Sequence, residues 1–252
     1  MTLEPPPPLA GQAIALFLDV DGTLIEIAER PGDVHVPLSL LRILERLQTE
    51  LDGALALVSG RPISQLDDLF GHQAFSAAGL HGFEQRNLTT HDFRHAAPPE
   101  GIARARAVLE RFVQDHPGMV LEDKGVTLAL HYRQAPQLVE EARAFTAKVV
   151  DDSKGDLIVL PGKMVFELKP PGVDKGKAVE AFMTEAPFAG RRAVFCGDDV
   201  TDEAGFRAVN QAGGLSVRVG HGERPSDAAC HVDSVPALRS WLATLLSEPA
   251  AA

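Results

Sequence analysis

The chain has 252 residues, 45% of them hydrophobic and 23% charged, and a formal net charge of −11. This is enough apolar material for one large globular domain or two modest ones. The acidic balance argues against any sequence-independent grip on nucleic acid or anionic membrane, since both need a basic surface. It admits an anionic small molecule only if a pocket concentrates positive charge locally.

The N-terminal "MTLEPPPPLAGQ" lacks the basic and apolar regions of a signal peptide, and its prolines predict a short extended tail. "IALFLDV" (14–20) is a continuous apolar run, as expected of a strand buried on both faces. "PLSLLRILERLQTEL" (37–51) places Leu40, Leu44, Leu47 and Leu51 on one helical face. A second buried strand, "ALALVSG" (54–60), a short helix, "ISQLDDLF" (63–70), and a third strand, "AFSAAG" (74–79), follow.

The pattern then changes. "EGIARARAVLERFVQDH" is helical, "VTLALHY" (126–132) alternates like a half-exposed strand, and "APQLVEEARAFTAKVV" is helical again. "DLIVL" and "KMVFEL" read as strands joined by a "PGK" turn. The expected order α-β-β-α-β-β suits an antiparallel sheet with helices on one face. "KPPGVDKG" (169–176) reads as a hinge. Beyond it, "AVFCG" (193–197) and "LSVRVG" are strands, "TDEAGFRAVNQAG" (201–213) is a helix, and "VPALRSWLATLL" is a closing helix. The predicted fold is a doubly wound, Rossmann-like parallel α/β core, residues 1–93 and 171–252, interrupted by an inserted α+β domain at 94–170.

Cys196 and Cys230 have no metal-ligand spacing and form no disulfide framework, and Cys196 inside an apolar run is expected to be a buried inert thiol. No apolar run reaches membrane-spanning length, so a reducing cytoplasm is the expectation, and a monomer is expected besides.

Three polar clusters each follow a buried strand: "DVDGT" after "LFL", "SGR" after "ALALV", and "GDDVTDE" after "AVFC". Open parallel sheets bind ligands beyond the carboxyl ends of their strands. The fold would therefore gather Asp19, Asp21, Ser59, Arg61, Asp198, Asp199 and Asp202 at one edge. Asp19 and Asp21, two apart on a strand, face the same way and repel unless a cation or a proton intervenes. Taken alone they could equally be a polar Asp-Gly turn. Mg²⁺ favours a few hard carboxylates, and Asp19 with Asp198 could supply them, with Asp202 holding a metal-bound water. Helix capping alone would account for Thr201, Asp202 and Glu203, but not for Asp198 at a strand end. Ser59, the close-approach glycine Gly60, and Lys175 at a helix start suit a phosphate.

"DVDGT", "VSGR", "VDKGKA" and "GDDVTDE", in this order, resemble the four motifs of the haloacid dehalogenase-type phosphohydrolases. "LEDKGVTLALHYRQAP", "GKMVFELKPPGVDKG" and "FCGDDVTDEAGF" further resemble the trehalose-6-phosphate phosphatases, inserted domain included. The resemblance implies Asp19 as nucleophile, Asp21 as general acid and base, and Lys175 as the catalytic cation. It implies Mg²⁺ at a site drawn from Asp19, Asp21, Asp198, Asp199 and Asp202. Gly22, Thr23, Ser59, Gly60 and Arg61 would bind phosphate. The insertion would be a cap whose Glu122, Lys124 and Glu167 bind the sugar of a small sugar phosphate. Alternation also turns Glu167 away from Met164, Phe166 and Leu168, toward an expected open face, although periodicity alone favours solvated surface charges for all three cap residues. "LHGFE" also resembles a stretch of the family, which implies His81 and Glu84 near the site, with a structural histidine as the alternative. Competing readings are a capped phosphatase for sucrose phosphate or hexose phosphate, a phospho-acceptor signalling domain, and a catalytically dead binding module.

Overall fold

The computed structural model describes residues 4–27, 34–71, 75–95, 97, 99–220 and 224–246. The chain divides into two compact units, one of Met1–Arg94 with Asp174–Ala252, the other of His95–Val173.

The first unit is built on an eight-stranded sheet in the order β12-β11-β10-β1-β2-β3-β4-β5. Its strands are β1 (Ile14–Leu18), β2 (Leu55–Val58), β3 (Ser76–Gly79), β4 (Glu84–Asn87), β5 (Asp92–His95), β10 (Arg192–Gly197), β11 (Leu215–Val219) and β12 (Cys230–Val232). Six strands run parallel, and β4 is antiparallel to β3. β1 is buried along its whole length, as its unbroken apolar run requires. Ala74, the predicted start of the third strand, lies outside the described residues.

The chain leaves β1 through α1 (Leu38–Glu50) toward β2, and leaves β10 through α6 (Glu203–Gln211) toward β11 on the opposite side. Right-handed crossovers in opposite directions put their helices on opposite faces. Accordingly α1 packs with α7 (Val235–Thr244), and α5 (Lys175–Phe182) with α6. Phe17 of β1 stacks on Phe188 at 5.5 Å, and Phe195 of β10 meets Phe206 of α6 edge-on. The strand order reverses between the parallel neighbours β1 and β10, and such a switch point is where these sheets open a crevice for ligands.

The proline-rich N-terminus is docked rather than loose. Leu9 is buried, Glu4 bridges to Cys230, and Trp241 Nε1 donates to the Pro7 carbonyl. Both cysteines are buried free thiols, and burial pushes the Cys196 thiol well above its ordinary range. Among the described residues no helix is long and apolar enough to cross a membrane.

The second unit is a four-stranded sheet, β6-β7-β9-β8, built from β6 (Val120–Asp123), β7 (Leu128–His131), β8 (Ile158–Gly162) and β9 (Val165–Lys169). All its described pairings are antiparallel. Leu128, Leu130, Phe166 and Leu168 join Ile102, Ala105 and Leu109 of α3 (Glu100–Asp115) and Ala142 and Val149 of α4 (Val139–Asp152) in a separate core. The β8–β9 turn differs from the predicted "PGK". Pro161 and Gly162 continue the strand opposite Phe166 and Val165, and Met164 turns the chain with a φ of 64°.

Candidate active site

The site lies at the carboxyl ends of β1, β2 and β10. The Asp19 N–H donates to the Cys196 carbonyl, which carries the parallel pairing one residue beyond β1 and brings the two aspartate loops side by side. Gly22 turns the first loop with a φ of 88°, and a Cβ there would lie 2.2 Å from an Asp198 oxygen. Only glycine fits that approach. Thr23, fully buried, donates from Oγ1 to Asp198 Oδ1 at 3.1 Å and ties the loops together.

Lys175, the first residue of α5, is 3% exposed and donates to Asp19 Oδ1 at 2.7 Å and Asp202 Oδ1 at 2.6 Å. Asp174 caps its helix by accepting the Lys177 N–H. Burial alone would lower the Lys175 ammonium, but Asp19 and Asp202 hold it well above the ordinary lysine value. Burial, then the Asp202 charge, raises Asp19 to about 6. Burial, then the Asp19 and Asp202 charges, raises Asp198 to about 8. One ammonium does not neutralise this group of carboxylates. Asp19, Asp198 and Asp202 each offer an oxygen within 4.8 Å of the others, a set that fits a hard divalent cation.

Asp21 and Asp199 are turned elsewhere. Asp21 is gripped by Arg61, Nε to Oδ2 at 2.6 Å and Nη2 to Oδ1 at 2.7 Å. Asp199 accepts the Val200 N–H and pairs with Arg224 at 3.2 Å. No sequence signal marked Arg224. Asp202, fully buried, accepts the Asp198 and Asp199 N–H groups on Oδ2 while its Oδ1 meets Lys175, so it both caps its turn and anchors the lysine.

Ser59 is buried, with its Oγ accepting the Arg61 N–H. Its carbonyl accepts the His81 N–H. The close neighbour of Gly60 is the His81 ring, 2.9 Å from where a Cβ would stand. His81 is therefore packed onto the "SGR" turn. Glu84 Oε2 accepts the Ile63 N–H and caps α2 (Ile63–Phe70).

In the second unit, Glu122 of β6 and Glu167 of β9 both lie directly across from Ala129 of β7. Gly125 makes the turn between Glu122–Lys124 and β7 with a φ of 81°. Glu167 is not on an open face. It is 8% exposed, accepts from Thr127 Oγ1 at 2.8 Å, and faces Lys124 Nζ at 3.6 Å. Alternation gave its direction, but this polar network was not visible in it. Glu122 Oε2 lies 2.9 Å from His131 Nε2, a partner the sequence did not single out.

The trehalose-phosphatase family model matches residues 17–236. The chain is 46% identical over 231 residues to the trehalose-6-phosphate phosphatase of Escherichia coli (strain K12), covering 90% of this chain and 85% of that protein. The C-terminal domain of C. albicans trehalose-6-phosphate phosphatase superposes with a TM-score of 0.82 at 23% identity, covering 94% of this chain and 92% of that one. A haloacid dehalogenase-like hydrolase from Bacteroides thetaiotaomicron superposes with a TM-score of 0.67 at 16% identity, over 92% and 98% of the two chains, and so shares the fold. With its sheet, its inserted unit and its acidic cluster in place, the chain belongs to the trehalose-phosphatase family and is a phosphoric monoester hydrolase.

Proposed function

We propose that the protein hydrolyses trehalose 6-phosphate to trehalose and phosphate through an aspartyl-phosphate, with Mg²⁺ as its metal. The observation that carries this reading is the meeting of Asp19, Lys175, Asp198 and Asp202 at the switch point of a family-matched fold.

Asp19 is the nucleophile. Lys175 occupies Oδ1, and no described residue donates to Oδ2, so that oxygen is left to attack phosphorus. The P–O bond to the sugar breaks as the Asp19–phosphate bond forms, and the sugar oxygen takes a proton from Asp21. Asp21 then removes a proton from the water that attacks the aspartyl-phosphate, and phosphate leaves. Splitting one hydrolysis into two displacements lowers each barrier. Acid–base assistance of this kind contributes ~10² to 10⁴ in rate. Asp21 first has to leave the Arg61 fork.

Asp19 and Asp198 would hold Mg²⁺, and the ion when bound supplies charge neutralisation at the phosphate. Lys175 adds a fixed ammonium and Ser59 a buried hydroxyl. The inserted unit acts as a cap and reads the sugar through Glu122, Lys124 and Glu167. The enzyme works as a monomer in a reducing cytoplasm, consistent with its two free thiols.

Phosphate release from trehalose 6-phosphate, sucrose 6-phosphate, glucose 6-phosphate and p-nitrophenyl phosphate, with and without Mg²⁺, tests the reading. A preference for trehalose 6-phosphate that requires Mg²⁺ is expected. A higher kcat/KM on another sugar phosphate would reassign the substrate.

A further inference from the structure

β7, one of the two inner strands of the second sheet, has a composition that the sugar-binding assignment does not explain. Leu128 and Leu130 of β7 point into the core of that unit and are fully buried. Thr127, Ala129 and His131 therefore share the other face. Register sets Ala129 between Glu122 on one side and Glu167 on the other. The two glutamates are thus two strand spacings apart, about 10 Å at the backbone, across a single methyl group.

Each glutamate is held by a different residue of this face, Glu167 by Thr127 just before β7 and Glu122 by His131 at its end. Thr127 Oγ1 donates to Glu167 Oε1 at 2.8 Å, and both residues are buried. His131 Nε2 lies 2.9 Å from Glu122 Oε2. This contact, set against burial, draws the Glu122 carboxyl below its ordinary value and keeps it a full acceptor. A glutamate has three rotatable side-chain bonds, and fixing it before a ligand arrives removes an ordering cost from binding.

We infer that Thr127 and His131 are positioning residues, which lock Glu167 and Glu122 on either side of Ala129 so that the two carboxylates are preset for the hydroxyls of one sugar ring. Ala129 is the floor between them, and a larger side chain would fill the gap. The inference rests on the proposal that Glu122 and Glu167 read the sugar.

The test is a pair of mutant cycles read as kcat/KM for trehalose 6-phosphate relative to p-nitrophenyl phosphate. Thr127→Val removes the hydroxyl at constant shape. It is expected to lower this ratio about tenfold, mainly through KM on the sugar phosphate. Thr127→Ser restores the donor and should stay within about threefold of wild type. Because Thr127 acts through Glu167, the double variant Thr127→Val/Glu167→Ala should be no worse than Glu167→Ala alone. His131→Ala with Glu122→Ala should behave in the same way, and it carries the test should Thr127→Val not fold, because His131 is only partly buried. Additive losses, equal losses on both substrates, or a serine variant as poor as valine would overturn the inference. A selective loss in Glu167→Ala with none in Thr127→Val would overturn it while leaving the sugar assignment standing. No selective loss in Glu167→Ala would remove that assignment and this inference together.

Discussion

Arg61 closes on Asp21 with two hydrogen bonds, one to each carboxylate oxygen, at 2.6 and 2.7 Å. A planar guanidinium makes this fork and a lysine cannot. The fork fixes the orientation of Asp21, and although Asp21 has to leave it to exchange a proton with substrate, a lysine would give up that orientation altogether. Arg61→Lys is therefore expected to lower kcat/KM about ten- to a hundredfold, the scale of one or two charged hydrogen bonds. Separate kcat and KM values on trehalose 6-phosphate check this. Wild-type values for both would show that the fork has no part in turnover.

Asp202 presents acceptors to three donors, Lys175 Nζ and the N–H groups of Asp198 and Asp199. An amide has one acceptor and one donor end, so Asp202→Asn forces a donor against a donor inside a fully buried site. A destabilisation of about 3 to 5 kcal/mol is expected, as for breaking a buried ion pair from one side. Urea unfolding measures it. An unchanged midpoint would mean that the loop and the lysine do not depend on Asp202.

Asp19→Asn should separate chemistry from folding. Burial and the Asp202 charge already raise the Asp19 carboxyl to about 6, so a neutral amide relieves repulsion there. The melting temperature should hold or rise while phosphate release falls by about 10³ or more. Substantial turnover by a well-folded variant would remove Asp19 from the nucleophile role.

Stability without metal should depend on pH in a defined direction. Asp19 is raised to about 6 and Asp198 to about 8, whereas carboxyls in an unfolded chain titrate near about 4. Between those values the folded protein holds protons that the unfolded chain has released, so stability falls as pH rises. Melting in chelator should drop from about pH 5 to about pH 8, and Mg²⁺ should recover most at the alkaline end, where it binds the folded state best. EDTA should abolish activity and Mg²⁺ restore it. Asp198→Ala should flatten the upper part of the melting curve and raise the Mg²⁺ needed. Equal melting at both pH values with and without Mg²⁺ would contradict the acidic cluster as a cation site.

The core was legible because parallel strands buried on both faces write themselves as apolar runs, and β1, β2 and β10 end in the polar clusters that form the site. β4 and β5 were not legible. "EQRN" and "DFRH" are polar because they extend the sheet at its outer edge, and all four residues of β5 are exposed. The partners of the charged residues were hidden for another reason. Arg61 meets Asp21 across 40 positions and Lys175 meets Asp19 across 156, and only the folded topology brings such residues together. Local periodicity gave Glu167 its direction, but it could not show that Thr127 and Lys124 would enclose it.

β1, the strand that leads into Asp19, has one neighbour close in sequence, β2, and one far away, β10, paired as Leu18 with Cys196. A ribosome adding about 5 to 20 residues per second needs on the order of 10 to 30 s to reach the second after making the first. Throughout that interval one edge of β1 has no partner, whereas the inserted unit, contiguous in sequence, is completed within it. The nascent chain is expected to order its insertion first and its sheet last. Chains stalled before residue 192 should then protect residues 99–169 from protease while the N-terminal segment is cut. Asp198 and Asp202 follow β10 directly in the chain, so the capacity to react with a phosphate ester cannot appear before β10 has joined β1.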